Sequence, residues 1–189
     1  PKKRLSLKNK ESRVYPYLLR GLTIDRPDQV WASDITYVRL RYGYAYLVAV
    51  MDWFSRYVLS WELSMSLESG FCVAALENAL SASTPEIFNS DQGCQYGSAA
   101  FTAVLKGAEV RISMDGRGRA FDNIMIERLW RTVKYEEVFL KDYPHLFAAR
   151  DSLGEYFAFY NEERRHSSLD GQTPSVAYRT GRARVNRAG

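Results

Sequence analysis

The alternation of apolar and polar positions divides the chain into a β-rich first part and a second part in which strands alternate with helices. Residues 31–40 (WASDITYVRL), 45–54 (AYLVAVMDWF) and 56–63 (RYVLSWEL) are rich in β-branched and aromatic residues. Residues 41–43 favour a turn between the first two runs, and Ser55-Arg56 a turn between the second and third. The pattern predicts an antiparallel meander of three strands.

After residue 65 the apolar spacing changes. Residues 66–81 have helical spacing behind a predicted Ser66 cap, and a helix is also predicted for residues 98–106, stopped by Gly107. Two further strands are predicted at EIFNS and VRISM. The remaining helices are predicted from Asn123 to about Leu140, capped by Asp122, and over residues 145–165. This order predicts an α/β fold with a five-stranded mixed sheet flanked by helices.

Composition places the chain among ordinary globular domains. It has 189 residues, of which 46% are hydrophobic, enough for one core. No apolar run has the roughly 18 residues that a membrane span needs, and no secretory signal pattern is found at the start. A cytoplasmic protein without membrane association is therefore expected. Cys72 and Cys94 lie outside any metal-ligand spacing, and we expect two reduced thiols.

Positive charge is concentrated at the two ends. Residues 1–13 carry a net charge of +5 and residues 179–189 one of +4, so residues 14–178 are left at −5. We therefore predict a basic arm over 1–26, a core over 27–178 and a basic tail over 179–189. Basic arms suit a polyanionic partner such as DNA, and they equally suit a role in solubility.

Three acidic residues are candidates for chemistry, although each has an ordinary explanation. Asp34 lies inside a predicted strand, where aspartate is rare, and could simply be solvated. Asp91 follows a strand and could form an Asx turn. Glu127 lies four residues before Arg131 on a predicted helix, which is compatible with an exposed ion pair.

Their joint arrangement is more informative than any one of them. Acids in a first strand, after a later strand and on a later helix can converge at one edge of such a sheet. Clustered carboxylates repel one another and stay ionised only if cations neutralise them. Oxygen ligands select Mg²⁺ or Mn²⁺ over zinc.

Five segments resemble, in order and spacing, the motifs of the integrase-core transposases of two-frame bacterial insertion sequences. They are WASDITYV, VMDWFSRYV, NSDQGCQYGS, SMDGRGRAFDNIMIERLWRTVKYE and FYNEERRHSSLDGQTPSVAY. The likeness extends from Tyr15 to Tyr178, and 35 residues separate Asp91 from Glu127, the spacing that names this class. Two positions depart from the pattern: Asn89 stands where many relatives have histidine, and Cys94 where serine is usual.

The resemblance implies a ribonuclease H-like fold and a DNA transposase that cleaves and joins phosphodiester bonds. The catalytic acids and metal ligands would be Asp34, Asp91 and Glu127, holding two Mg²⁺ or Mn²⁺ ions, with no small-molecule cofactor. The expected DNA contacts are the cations around Glu127, namely Arg117, Arg119, Arg128, Arg131 and Lys134. DNA ends and target would be the partners of a homo-oligomer in the bacterial cytoplasm, associated with the nucleoid.

Two alternatives stay open at this point: a ribonuclease H-like nuclease that only hydrolyses, and a non-catalytic DNA-binding or assembly module. Other polar residues near the motifs are expected to be structural. Asp52, Asp115 and Asp122 are interpreted in this way, and His145 and His166 as packing or DNA-backbone residues rather than metal ligands. Because the chain begins at Pro1 and lacks room for a helix-turn-helix reader, we expect a fragment of a longer transposase.

Overall fold

The computed structural model describes residues 13–116 and 123–188. Its first three strands are β1 (Val30–Arg39), β2 (Tyr44–Asp52) and β3 (Val58–Ser64), and each pairs antiparallel with the next. The turns between them contain two residues with positive φ, Gly43 at 91° and Arg56 at 65°, where the left-handed backbone lets the chain reverse tightly. The predicted meander is confirmed.

Two short parallel strands extend the sheet beyond β1. They are β4 (Ile87–Ser90), which pairs with β1, and β5 (Arg111–Met114), which pairs with β4. The sheet order is β3-β2-β1-β4-β5. The prediction of a five-stranded mixed sheet is therefore confirmed, with β1 at its centre.

Five α-helices and two short 3-10 turns accompany the sheet in the part of the chain that the structure describes. The helices are α1 (Gly70–Leu80), α2 (Ala99–Gly107), α3 (Ile124–Glu136), α4 (Leu146–Glu162) and α5 (Pro174–Ala188); the turns are Val138–Leu140 and Ser167–Leu169. Within residues 13–116 and 123–188, no helix has both the length and the apolar character needed to cross a membrane.

Several helix ends differ from prediction. Ser66 does not cap α1, which begins four residues later, and Gly107 is the last residue of α2 rather than the stop before it. The helix predicted to run to Leu140 ends at Glu136 and gives way to the turn Val138–Leu140. Asp122, its predicted cap, lies outside the described residues. Patterns of apolar spacing locate helices better than their ends, because the last turn depends on local hydrogen bonds.

The core has two layers, one on each face of the sheet. On one face α3 and α4 pack against β2 residues such as Leu47, Ala49 and Met51. On the other face α1 and α2 pack against Val48 and Val50, together with residues of β1, β4 and β5. Because successive strand residues point to opposite faces, the strand β2 (YAYLVAVMD) supplies both layers and is apolar almost throughout.

The segments at both ends of the predicted core pack against it. Leu19, in the predicted arm, is buried against Val30 and Ile87. At the other end, α5 runs through the predicted boundary at residue 178, and the Tyr178 hydroxyl donates to Asp28 Oδ1 at 2.7 Å. Leu19 thus contributes to the core, and residues 179–188 continue the helix α5; the domain boundaries stay predictions.

Candidate active site

Asp34 lies in the middle of the central strand β1. Its neighbour on β2 is Ala49, which is too small to cover it. The indole Nε1 of Trp130, on α3, donates a hydrogen bond of 3.0 Å to Asp34 Oδ2. The carboxylate is half-buried and is held between β1 and α3.

Asp91 is the first residue after β4, beside Asp34. The parallel register pairs Trp31 with Phe88 and Ala32 with Asn89; continued by two residues, it sets Asp34 opposite Asp91. The backbone N–H of Gly93 donates to Asp91 Oδ1 at 2.8 Å, so the Asx turn considered for this residue is present. A Cβ on Gly93 would lie 2.8 Å from that oxygen, and glycine is therefore needed for this close approach.

Glu127 lies in the first turn of α3, one helical turn before Trp130. One stripe of α3 is buried, formed by Ile126, Leu129 and Val133. The stripe fixes the rotation of α3 and leaves Glu127 exposed. The ion pair with Arg131 considered as an alternative does not occur: no salt bridge between described residues includes Glu127.

The pKa of Asp34 depends on the charges of the other two acids. Burial raises this pKa, and the charges of Asp91 and Glu127 add to this effect, while hydrogen bonds from the Ile35 backbone and Trp130 oppose it; the resulting pKa is about 6. Burial also raises the pKa of Asp91, while the Gly93 N–H lowers it. The two aspartates line one cavity of about 170 Å³. Negative charge is therefore concentrated here at a cost that a bound cation would relieve.

The acids do not form a closed metal cage. Within residues 13–116 and 123–188, no three histidine, cysteine or acidic side chains are grouped tightly enough to hold a metal ion. The donor set nevertheless fits a hard divalent cation, because it consists of carboxylate oxygens, and because burial together with the charges of Asp91 and Glu127 raises the pKa of Asp34. Asp34 and Asp91 share a cavity, while Glu127 interacts with Asp34 through its charge alone.

Two family models match the chain, and both describe an integrase core domain. The integrase core domain model matches residues 24–120, and a second integrase core domain model matches residues 108–174. The chain belongs to the integrase core domain family. This confirms the resemblance on which the sequence motifs were interpreted.

Curated relatives of this integrase core are transposases of bacterial insertion sequences. The chain is 34% identical over 157 residues to the transposase for insertion sequence element IS629 of Shigella sonnei, a match that covers 82% of this chain and 53% of the relative. It is 35% identical over 152 residues to the transposase InsF for insertion sequence IS3A of Escherichia coli K12, covering 78% and 53%. The chain thus spans about half the length of these relatives.

Solved integrase structures share the fold. The catalytic core domain of HTLV-2 integrase, solved in complex with magnesium, superposes with a TM-score of 0.66 at 21% identity, covering 81% of this chain and 97% of the other. The expectation of a ribonuclease H-like sheet flanked by helices is confirmed at the level of the fold.

The predicted DNA-contacting cations of the integrase core fall into three groups. Arg117 and Arg119 lie outside the described residues. Arg128 and Arg131 are exposed and line a large cleft beside α3. Lys134 is half-buried two turns after Glu127 and does not line that cleft. Among described residues, none of these three α3 cations forms a salt bridge.

Asn89, the first departure from the family pattern, is a buried connector beneath Asp91. Its Nδ2 donates to Asp115 Oδ1 at 2.8 Å, and its Oδ1 accepts from Ser113 Oγ at 2.8 Å. Ser113 Oγ in turn accepts from the backbone N–H of Leu18 at 3.0 Å. The network joins β4, β5 and the N-terminal segment directly under the loop that carries Asp91, so Asp115 has the structural place expected of it.

The other polar residues that were expected to be structural form hydrogen bonds within the fold. Asp52 accepts hydrogen bonds from the backbone N–H groups of Asp28 and Ser55, each at 2.8 Å, and shapes the β2–β3 turn. His145 caps α4, its Nδ1 accepting from the Ala148 N–H. Cys72 and Cys94 are free, as expected, and burial raises the pKa of the Cys72 thiol to about 12.

Sequence reasoning missed two neighbours of the acids. Trp130 occurs within a quoted motif, and its spacing of three residues from Glu127 places both near the same side of α3, but nothing in the sequence indicated a hydrogen bond to Asp34. Tyr37 lines the Asp34 cavity and is 56% exposed. Its signal was an aromatic residue in the same strand as a candidate catalytic acid, three residues after Asp34.

Proposed function

We propose that this chain is the catalytic domain of a DNA transposase. It cleaves phosphodiester bonds at transposon ends and joins the resulting 3′-hydroxyl to target DNA. The observation that supports this most strongly is the pairing of Asp34 and Asp91 at one cavity, with the charge of Glu127 acting on Asp34. The integrase core match and the transposases among its relatives support the same reaction class.

Asp34, Asp91 and Glu127 would hold two Mg²⁺ or Mn²⁺ ions. Bound there, the cations would activate the attacking oxygen and neutralise charge on the leaving oxygen of an in-line displacement. Water as the attacking group gives cleavage, and a DNA 3′-hydroxyl gives strand transfer. The fit rests on the chemistry of the donors and on the cost of their crowded negative charge.

The chain's own residues prepare the carboxylates for this task. Trp130 Nε1 and the backbone N–H of Ile35 donate to Asp34, which orients the side chain and favours its ionised form. The Gly93 N–H fixes Asp91 Oδ1 and leaves the second carboxylate oxygen free of that bond. Since catalysis of phosphoryl transfer depends largely on positioning and electrostatics, these bonds keep two ligands in place before DNA arrives.

The proposed activity is tested with Asp34→Asn and a pre-cleaved DNA end. The wild-type chain is expected to cleave duplex DNA only with Mg²⁺ or Mn²⁺, and Asp34→Asn to lose this activity while its circular dichroism spectrum and thermal transition are retained. Asp151→Asn, an exposed aspartate on α4, is the matched control and should remain active. Metal-dependent cleavage that survives in Asp34→Asn would refute the assignment.

The same assay separates transposition from simple hydrolysis. A duplex with a free 3′-hydroxyl at a pre-cleaved end is offered with plasmid target, and covalently joined products are expected. Cleavage without joined products would favour a nuclease that only hydrolyses. The absence of cleavage by the wild-type chain, with DNA binding retained, would favour a non-catalytic DNA-binding module.

We further propose that the chain works as a homo-oligomer assembled on DNA in the bacterial cytoplasm, near the nucleoid. Pairing two DNA ends requires at least two catalytic domains, which supports a multimer. One structural neighbour at TM-score 0.72 is part of a simian T-cell lymphotropic virus intasome. Size-exclusion chromatography with and without DNA ends tests this assembly.

A further inference from the structure

A continuous groove lies beside α3, away from the acidic residues. One cavity of about 730 Å³ is bounded by α3 and residues 164–168, and a second of about 490 Å³ by α5 and the β2–β3 turn. Arg56, Met125 and Ser168 line both cavities. The two therefore adjoin, and we call them together the α3–α5 groove.

The groove and the acidic site use opposite flanks of the same helix. Successive residues on an α-helix are rotated by about 100°. The buried stripe of α3 therefore separates Glu127 and Lys134 on one flank from Arg128, Thr132 and Tyr135 on the other. The second flank lines the groove. Arg131, four residues after Glu127, also lines the groove, so the groove begins beside Glu127 and extends around α3 away from the acidic site.

Cations dominate the lining of the groove. Six arginines line it, contributed by the β2–β3 turn, α3, the segment after α4 and α5: Arg56, Arg128, Arg131, Arg164, Arg165 and Arg184. Among the residues that the structure describes, two acids line it, Glu136 and Asp170. Glu136 is already engaged with Arg164, at 2.6 Å. Because Arg128, Arg131 and Arg184 form no salt bridge with any described residue, their charge faces the groove uncompensated.

The protonation of neighbouring groups reflects this excess of positive charge. Burial lowers the pKa of Arg56, and the charge of Arg128 lowers it further. Burial likewise lowers the pKa of His166 to about 4, helped by the charges of Arg164 and Arg56. His166 is therefore neutral at pH 7. Its imidazole can donate a hydrogen bond to a ligand or accept one from it without adding charge to the groove. The groove favours an anion.

We propose that the α3–α5 groove binds the sugar-phosphate backbone of duplex DNA at phosphates other than the scissile one. The identification of the polyanion as DNA rests on the proposed function; the anionic character of the ligand does not. A string of phosphates fits better than a single small anion, because the arginines are distributed over four elements and two adjoining cavities. Arginine suits phosphate through its planar, multiple donors.

The test measures DNA affinity as a function of salt concentration in EDTA, where no cleavage occurs. A random-sequence duplex is used, because backbone contacts do not depend on sequence. Arg128→Ala and Arg184→Ala are each expected to weaken binding severalfold and to reduce the slope of log K against log salt by about 0.9, the value for one lost phosphate contact. The matched control for Arg184 is Arg179→Ala, on the same helix but paired with Glu162 at 3.1 Å; Arg111→Ala, on β5, controls for charge alone.

A second measurement locates the contacted phosphates. Single methylphosphonates, which are uncharged, are placed along a duplex that carries an uncleaved end, which stays intact in EDTA. At groove positions they should weaken binding by the wild-type chain, and at the phosphate that Arg128 contacts they should have little effect on Arg128→Ala, because that variant has already lost the contact. The positions so identified should exclude the scissile phosphate.

Each outcome decides between the possibilities. Slopes for Arg128→Ala and Arg184→Ala equal to those of the wild-type chain and of Arg179→Ala would overturn the groove proposal, as would wild-type binding that does not depend on salt. Loss of sensitivity only at the scissile phosphate would also overturn it. The proposed function fails separately, through the absence of metal-dependent cleavage, and that result leaves the EDTA binding data interpretable.

Discussion

The indole Nε1 of Trp130 donates a 3.0 Å hydrogen bond to Oδ2 of Asp34, across 96 residues of sequence. It is a direct polar link between α3, which carries Glu127, and β1, the central strand. Because the bond favours the ionised carboxylate, it opposes the burial and the neighbouring charges that favour the protonated form. Trp130 is therefore a positioning residue for the proposed metal ligand.

Replacing Trp130 with phenylalanine should raise the pKa of Asp34. Phenylalanine keeps most of the apolar volume but cannot donate a hydrogen bond. The acidic limb of the rate-against-pH profile for Mg²⁺-dependent cleavage should shift to higher pH. The free energy of unfolding should also fall by about 1–2 kcal/mol, from the lost hydrogen bond and looser packing, as measured by urea denaturation.

Trp61→Phe is the matched control for this substitution. Trp61 packs on the same side of the sheet, with its ring centroid 5.3 Å from that of Phe157, and does not touch Asp34. It should lower stability without moving the pH profile. An unchanged acidic limb in Trp130→Phe would show that the indole supports packing alone.

The raised pKa of Asp34 gives the metal-free chain a specific dependence on pH. The ordinary value is 3.8, and the folded value is about 6, so the folded chain binds this proton more tightly than the unfolded chain does. The resulting stabilisation is fully present below pH 3.8 and is lost as the pH rises through about 6. The melting temperature of the wild-type chain in EDTA, measured relative to that of Asp34→Asn, should therefore fall between pH 4 and pH 6; the comparison cancels the opposite contribution of His166, whose pKa is lowered to about 4 in both proteins.

Magnesium should reverse this loss where Asp34 is ionised. Above pH 6 we expect Mg²⁺ to raise the melting temperature of the wild-type chain, because ligands that bind only the folded state stabilise it. Asp34→Asn should show neither the Mg²⁺ effect nor its share of the pH dependence. Asp52, whose pKa is also about 6, contributes in both proteins, so the difference between them isolates Asp34. An equal Mg²⁺ effect in both would exclude Asp34 as a ligand.

The sheet could be predicted from sequence because its pattern is local. The strand β2 is apolar on both faces, and the residues of the two β-turns can adopt positive φ. The meander can therefore be predicted from neighbouring residues alone, without knowledge of long-range contacts. The spacing of Asp91 and Glu127 likewise lies within one stretch of chain. The position of Asp91 opposite Asp34 could be expected from topology, since β4 pairs parallel with β1 and ends beside it; the convergence of Glu127 with both stays a prediction.

The surroundings of the acids could not be predicted in the same way. The bond from Trp130 to Asp34 and the α3–α5 groove depend on how α3 is rotated against the sheet and on where α5 returns. Charge counting placed the terminal arginines in a tail. The structure instead continues α5 through them and sets Arg184 beside Arg56, because the helix packs closely on residues at the start of the core.

Asn89→Ala should be strongly destabilising, because it leaves buried polar groups without this partner. Asn89 accepts from Ser113 and donates to Asp115, each at 2.8 Å. Buried groups deprived of a partner typically cost about 1–3 kcal/mol each, so a loss of about 2–4 kcal/mol in the free energy of unfolding is expected by urea denaturation. Asn78→Ala, whose side chain is exposed and bonded to Glu62 only at 3.5 Å, should change stability by less than about 0.5 kcal/mol. Similar losses in both variants would contradict a role for this network.

Gly181→Ala should loosen the packing of α5 against the core and weaken DNA binding with it. A Cβ at Gly181 would lie 2.5 Å from Cγ and 2.6 Å from Cδ of Pro27, distances that force the helix to move, since the rigid proline ring cannot turn aside. Arg184, three residues later, should then leave its place in the groove, so both the melting temperature and DNA affinity in EDTA should fall. Gly154→Ala on α4 is the matched control: its added Cβ would meet Trp61 at an ordinary 3.6 Å, and helix propensity should then raise stability by about 0.5–1 kcal/mol. A stabilising Gly181→Ala would show that the contact between α5 and Pro27 is not close in solution, and the α5 side of the groove would lose its support.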